Sequence, residues 1–283
     1  MNAELRQVSL QSGNALLNVR LYPNPGRETV ILLHGGPGVP DEMTEVRETL
    51  QPFMQVICFD QRGTGPGDHR NCTYRIEDYL LDISAIGAFF GLSRFSLLGH
   101  SWGGLYAQLY AAAHPEKIAR LFLCSPASGC GAAIWKMTER EVLAYNRARA
   151  TLAEWVGMGV NSLLGSLGSN RAVRRLFRQV IINYNKGFNV PPPEPEKLQK
   201  INAGPVTQTR REIKAHPPLR PFGQTTYPVI ITYGASDAYG ISRDLVKERF
   251  PFARYETIPD CGHTPWKHNP EVFLDILTGF FRK

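Results

Sequence analysis

Four short segments, far apart in the chain, carry residue types whose spacing suits nucleophilic attack on an acyl carbon. The first is Gly99-His100-Ser101-Trp102-Gly103-Gly104, which follows the apolar run FSLL at 95–98 and opens an alanine-rich stretch. It fits Gly-x-Ser-x-Gly in a strand–turn–helix setting. A serine hydroxyl is a weak nucleophile and must stand clear of the backbone beside a base. A sharp turn exposes it, and glycine at 99 and 103 removes Cβ atoms that would clash there. Taken alone, the pentapeptide also reads as a glycine-rich turn with no chemistry.

The second segment, His34-Gly35-Gly36-Pro37-Gly38, follows the run TVILL at 29–33. Attack on a carbonyl puts negative charge on its oxygen, and two backbone N–H groups must meet it. One is expected from Trp102, the residue after the serine, at a helix N-terminus where the dipole assists. The other is expected from the glycine loop. Pro37 has no N–H, which leaves Gly35, Gly36 or Gly38; Gly36 is the first choice and Gly35 the second. His34 reads as a structural residue of a tight turn.

The third segment, Gly234-Ala235-Ser236-Asp237, follows VIITY at 229–233. A carboxylate at a strand end can reach the catalytic base and hold it in the useful tautomer. The end of the preceding strand, at 121–128, offers only Ser125 and Ser128, so Asp237 is the candidate acid. The fourth is Asp260-Cys261-Gly262-His263, and His263 is the candidate base. The chain order Ser101, Asp237, His263 is the one expected for a serine on such a turn. Other histidines fit less well: His69 precedes the serine, His114 ends the helix behind it, His216 lies in the middle segment, and His268 enters the last helix. His100 is expected to point away from the serine. Serine rather than aspartate at 101 excludes chemistry that needs a carboxylate nucleophile.

These segments need a rigid frame. Strands expected at 29–33, 56–59, 95–98, 118–124, 229–233 and 255–258 alternate with helices expected at 74–90, 105–113, 242–249 and 270–281. On the helix at 74–90, Ile76, Leu80, Ile83, Ile86, Phe89 and Phe90 fall on one side. Strands alternating with helices predict an α/β fold, with a mostly parallel central sheet covered on both faces. The rhythm stops between about 128 and 222, where the chain is Arg-rich, amphipathic at 172–182, and carries the proline loop VPPPEPE at 190–196. The expected organisation is a core of 1–127 and 223–283, interrupted by a helical cap at 128–222. Trp135 and Trp155 either line an acyl pocket or pack this cap on the core. Asp60 and Arg62 read as braces of the turn DQRGTGPG.

Composition narrows the function class. The 283 residues are 43% hydrophobic and 20% charged, as in a folded domain. No run of 18 apolar residues suits a membrane span. The N-terminal stretch lacks the basic and apolar regions of a secretory signal, and five scattered cysteines suit reduced thiols, so a cytoplasmic location is expected. No Cys/His grouping has metal-ligand spacing, and neither metal nor cofactor is expected. The net charge is +7, but residues 136–220 hold 15 Lys and Arg against 6 Glu, so the excess lies in the cap. Arg171, Arg174, Arg175 and Arg178 recur at helical steps, as on a solvated face; attraction of an anionic substrate or a membrane surface stays open beside that reading. No aromatic-and-basic motif accompanies the charge, so nucleic acid is not an expected partner.

HGGPG, then Asp60-Gln61-Arg62-Gly63-Thr64-Gly65, then GHSWGG, GASD and DCGH together resemble the proline iminopeptidase branch of the α/β hydrolases, over about residues 29–125 and 225–283. The resemblance implies the α/β-hydrolase fold and a cofactor-free monomer or small homo-oligomer that releases N-terminal residues from short peptides. It also supports Ser101, Asp237 and His263 as a triad, with Gly36 and Trp102 as oxyanion donors. Those aminopeptidases hold the substrate's α-ammonium with glutamates in the cap and beside the triad acid. Here Ala238 follows the acid and the cap is basic, which disfavours a cationic substrate. The cap glutamates are Glu139, Glu141, Glu154, Glu194, Glu196 and Glu212. Two narrower readings therefore stand: an aminopeptidase, and an esterase, lactonase or amidase for a small, possibly anionic, acyl compound. A ligand-binding protein with little turnover is the reading from another class.

Overall fold

The computed structural model describes residues 5–64 and 71–282. His69 and the Gly65 of the DQRGTG motif lie outside the described residues. Eight strands form one sheet: β1 (Arg6–Ser12), β2 (Ala15–Tyr22), β3 (Thr29–Leu33), β4 (Gln55–Phe59), β5 (Phe95–His100), β6 (Ile118–Cys124), β7 (Val229–Gly234) and β8 (Arg254–Ile258). Their spatial order is β1-β2-β4-β3-β5-β6-β7-β8. From β4 through β8 all pairings are parallel; the β1–β2 hairpin joins β4 antiparallel.

The central strands are apolar throughout because both faces are covered. In β3, Ile31 and Leu33 pack into one core, while Val30 and Leu32 pack into the other. This is the period of two that a strand imposes on its side chains. Helices α1 (Thr44–Leu50), α2 (Ile76–Phe89) and α3 (Trp102–Ala113) follow β3, β4 and β5 in turn. Helices α2 and α3 cover the first face, and α1 covers the second. Five helices lie between β6 and β7: α4 (Ala132–Arg149), α5 (Leu152–Ser166), α6 (Asn170–Asn185), α7 (Pro195–Gln199) and α8 (Ala203–Ala215). The last three are α9 (Asp244–Arg249), α10 (Pro265–His268) and α11 (Pro270–Phe281), the last of which joins α1 on the second face. No helix among the described residues is long and apolar enough to cross a membrane.

The side of α2 that faces the core differs from its expected stripe at one end. Phe89 is 54% exposed, whereas Asp78 and Asp82 are buried. The two aspartates are held inward by Arg62. Its Nε and Nη2 donate to the two oxygens of Asp82 at 2.8 and 2.6 Å, and its remaining N–H groups donate to the carbonyls of Thr73 and Asp78. Both side chains of the pair are 0% exposed. This is the brace expected of Arg62, and Asp60 acts likewise on Asn18 and Arg20 of β2. Removing one partner of such a pair strands the other charge in the interior. Arg62→Met is expected to lower the free energy of unfolding by about 3–5 kcal/mol, and Arg62→Met/Asp82→Leu to regain most of it. Urea midpoints of the two variants check this.

Candidate active site

Ser101 sits between β5 and α3 with φ 56° and ψ −118°, a conformation rare for a residue with a Cβ. The turn is tight on both sides. A Cβ on Gly99 would run into the carbonyl of Gly103, and one on Gly103 would run into the carbonyl of Leu33. Glycine at both places therefore lets the helix start against the sheet and leaves the serine at its tip. The loop after β3 lies beside it: a Cβ on Gly35 would stand 3.5 Å from that of Ser101. Gln61 ties this loop to the turn after β4. It donates to the His34 carbonyl at 2.8 Å and accepts from the Trp102 indole at 2.9 Å, while its own amide donates to His34 Nε2. His34 is thus a structural residue. Among the described residues, neither the Trp102 nor the Gly36 amide is taken up by another protein acceptor.

Asp237 stands after β7 and His263 after β8, and the parallel pairing of these strands brings the two loops together. His263 Nδ1 is 2.9 Å from Asp237 Oδ1, and His263 Nε2 is 3.0 Å from Ser101 Oγ. With its proton on Nδ1, the ring donates to the carboxylate and accepts the serine O–H. The Tyr239 amide donates to the same Asp237 oxygen at 3.0 Å. Burial pushes the Asp237 carboxyl up, but the nearby His263 and the hydrogen bonds from His263 and Tyr239 outweigh it, so the group is held below its usual range. The four sequence segments therefore meet at one point.

Three features were not foreseen. His100 does not point away: its Nε2–H donates to the His263 carbonyl at 2.8 Å, and its ring packs 4.7 Å from Trp266. Burial, aided by His263, lowers its imidazolium to about 3, so it is a neutral donor that steadies the base. Tyr239 places its hydroxyl 3.2 Å from Ser101 Oγ, two residues after Asp237. Tyr184 from α6 and Tyr239 stand edge-on to the His263 ring, with centroids 4.9 and 5.0 Å away. Only the short spacing from Asp237 hinted at Tyr239, and no pattern in α6 marked Tyr184.

Ser101 and His263 open into a cavity of about 890 Å³ between the sheet and the inserted helices. Its wall is largely apolar, and Trp135 and Trp155 both line it. Of the six glutamates expected in the cap, only Glu139 reaches the cavity among the described residues. Glu139 is already held by Lys214 at 3.1 Å and by the Trp135 indole at 2.8 Å. Glu141 instead clamps the amides of Gly240 and Ser242 at 2.9 Å. Glu42, from the core, lines the wall paired with Lys267 at 3.2 Å. Arg210 of α8 also faces this space and forms no ion pair or hydrogen bond among the described residues. On α6, Arg171, Arg175 and Arg178 are exposed, as on a solvated face, and Arg174 is half-buried against the Ile201 carbonyl.

Comparison with known proteins agrees with this fold. The family model for the alpha/beta hydrolase fold matches residues 28–267. The chain is similar to a proline iminopeptidase of Lactobacillus crispatus, at 33% identity over 88% of each chain. It is also similar to one from Lactobacillus delbrueckii subsp. bulgaricus, at 25% identity over 89% of each. Among solved structures it superposes on VinJ with a TM-score of 0.74, covering 98% of both chains at 16% identity, a likeness of fold. The chain belongs to the α/β hydrolase fold family and is a hydrolase.

Proposed function

We propose that this hydrolase cleaves a small amide or ester through an acyl-enzyme on Ser101. The observation that carries this reading is the continuous relay from Ser101 Oγ to His263 Nε2 and from His263 Nδ1 to Asp237 Oδ1. His263 takes the hydroxyl proton as Oγ attacks the acyl carbon. The oxyanion rests on the amides of Trp102 and Gly36, with Gly35 as the second choice. His263 then protonates the leaving group, and water repeats the cycle to release the acid. Asp237 holds the imidazole and offsets the positive charge it gains.

Similarity to proline iminopeptidases supports an aminopeptidase as the narrower form. A second reading rests on a specific observation: no carboxylate follows Asp237, the one insert glutamate in the cavity is already paired, and Arg210 is not. That favours an esterase, lactonase or amidase for an anionic acyl compound. A panel separates the two. Prolyl and other aminoacyl anilides are assayed beside esters, with a fluorophosphonate probe read by mass spectrometry. Labelling at Ser101 is expected with turnover of at least one class. Turnover of prolyl anilide supports the peptidase, and of esters alone the second reading. Absence of both labelling and turnover defeats the acyl-enzyme.

A further inference from the structure

Helix α8 is tied to the core. Thr209 shares a 2.8 Å hydrogen bond with the Tyr79 hydroxyl of α2, and the Gly131 amide donates to the Ile213 carbonyl at 2.9 Å. Ile213 belongs to the main core, and Val206 packs with Val39 of the loop that follows β3. Arg210 projects from this anchored helix into the cavity that holds Ser101. A cation on so fixed a base is preorganised for whatever it meets.

What Arg210 meets within the protein does not satisfy it. Its Nε is buried with no hydrogen-bond partner, and no carboxylate lies within ion-pair distance among the described residues. Glu139, the carboxylate whose charge acts on it, is engaged by Lys214 and Trp135. Arg210 as a whole is half-buried, and burial lowers its guanidinium below its ordinary value by more than the charge of Glu139 raises it. Buried charges are ordinarily paired, so an unpaired guanidinium in a cavity implies a partner that arrives with the ligand. The planar fork of an arginine fits a carboxylate through two parallel N–H···O bonds. The site is close to the chemistry, because the charge of Arg210 acts on Tyr184 and Tyr239, the two tyrosines that flank His263.

We propose that Arg210 binds a carboxylate of the substrate, so that the hydrolase acts on esters or amides carrying a negative charge near the scissile bond. This rests on Ser101 as the nucleophile. The carboxylate belongs to the acyl part or to the leaving group, and two matched pairs of esters tell which. Mono-4-nitrophenyl adipate against 4-nitrophenyl hexanoate varies the acyl part. 4-Acetoxybenzoate against its methyl ester varies the leaving group.

The wild type is expected to favour the charged member of one pair by about tenfold or more in kcat/KM. Arg210→Met then loses about 10- to 100-fold on that ester, chiefly through KM, and keeps the neutral one within about twofold. Arg210→Lys recovers part of the loss, since it restores the charge without the fork. An equal loss on charged and neutral esters assigns Arg210 a structural role and overturns the proposal. So does a wild-type preference for the neutral ester in both pairs, or a charge preference that survives Arg210→Met. In these cases the neutral esters are still turned over and the fluorophosphonate still labels Ser101, so the acyl-enzyme stands. Loss of both in the wild type overturns the acyl-enzyme itself, and this inference with it.

Discussion

Alanine at position 101 is expected to lower kcat by about 10⁴-fold or more on any substrate the wild type turns over. The substitution removes only Oγ, and with it the bonds to His263 Nε2 and the Tyr239 hydroxyl. It keeps the Cβ, so the positive φ of this residue is no harder to hold than before. The melting temperature is therefore expected to stay close to that of the wild type. What activity remains comes from binding and from the two amides, which an alanine leaves in place. Turnover measured on protein freed of wild-type carry-over, beside a thermal melt, checks both halves. A fall of less than tenfold with an unchanged melt removes Ser101 from the mechanism.

Asp237→Asn is expected to cost about 10²-fold or more in kcat while leaving the site in shape. Asp237 Oδ1 accepts from both the Tyr239 amide at 3.0 Å and His263 Nδ1 at 2.9 Å, and an asparagine carbonyl in its place keeps both bonds. What the variant loses is the negative charge that offsets the imidazolium formed as the serine gives up its proton. Because the two residues act as one unit, Ser101→Ala/Asp237→Asn is expected to be no slower than Ser101→Ala alone. Losses that multiply in the double variant would separate Asp237 from the relay. The variant changes acid stability too. The folded-state value of Asp237 lies below its unfolded one, so its contribution is full above the unfolded value and is lost as pH falls through the folded one. An asparagine does not titrate and carries no such loss, so the stability of Asp237→Asn is expected to fall less on acidification, read from denaturation midpoints.

The parts of this site that were legible in the sequence are those fixed by backbone geometry. Gly99, Gly103 and the serine between them leave a mark because only glycine permits the turn. Asp237 leaves one because it follows a buried, continuous apolar strand, and His263 because it comes after Ser101 and Asp237 in the expected chain order. The β1–β2 hairpin escaped assignment since its residues alternate: Ala15, Leu17, Val19 and Leu21 are buried, while Leu16 between the first two is 49% exposed. The expected stripe of α2 missed Asp78 and Asp82, which ion pairs with Arg62, a residue of a distant turn, draw inward. Arg210 was hidden for a different reason. It stands next to Arg211 in a basic helix, and no local pattern distinguishes the arginine facing the cavity from its neighbour. Which of them faces inward is decided by Thr209 and Ile213 docking on the core.

The insertion of five helices between β6 and β7 also governs when this protein first becomes reactive. Ser101 and His263 are 162 residues apart, with the whole insert between them. At the usual pace of synthesis, the serine leaves the ribosome roughly 8–30 s before its base exists. Strands β5, β6, β7 and β8 are neighbours in the same order as in the chain, so the sheet grows outward at one edge. The last strand to add there is the one that delivers His263. On the proposed mechanism, a nascent chain thus carries Ser101 without its base until β8 and the loop after it have been made.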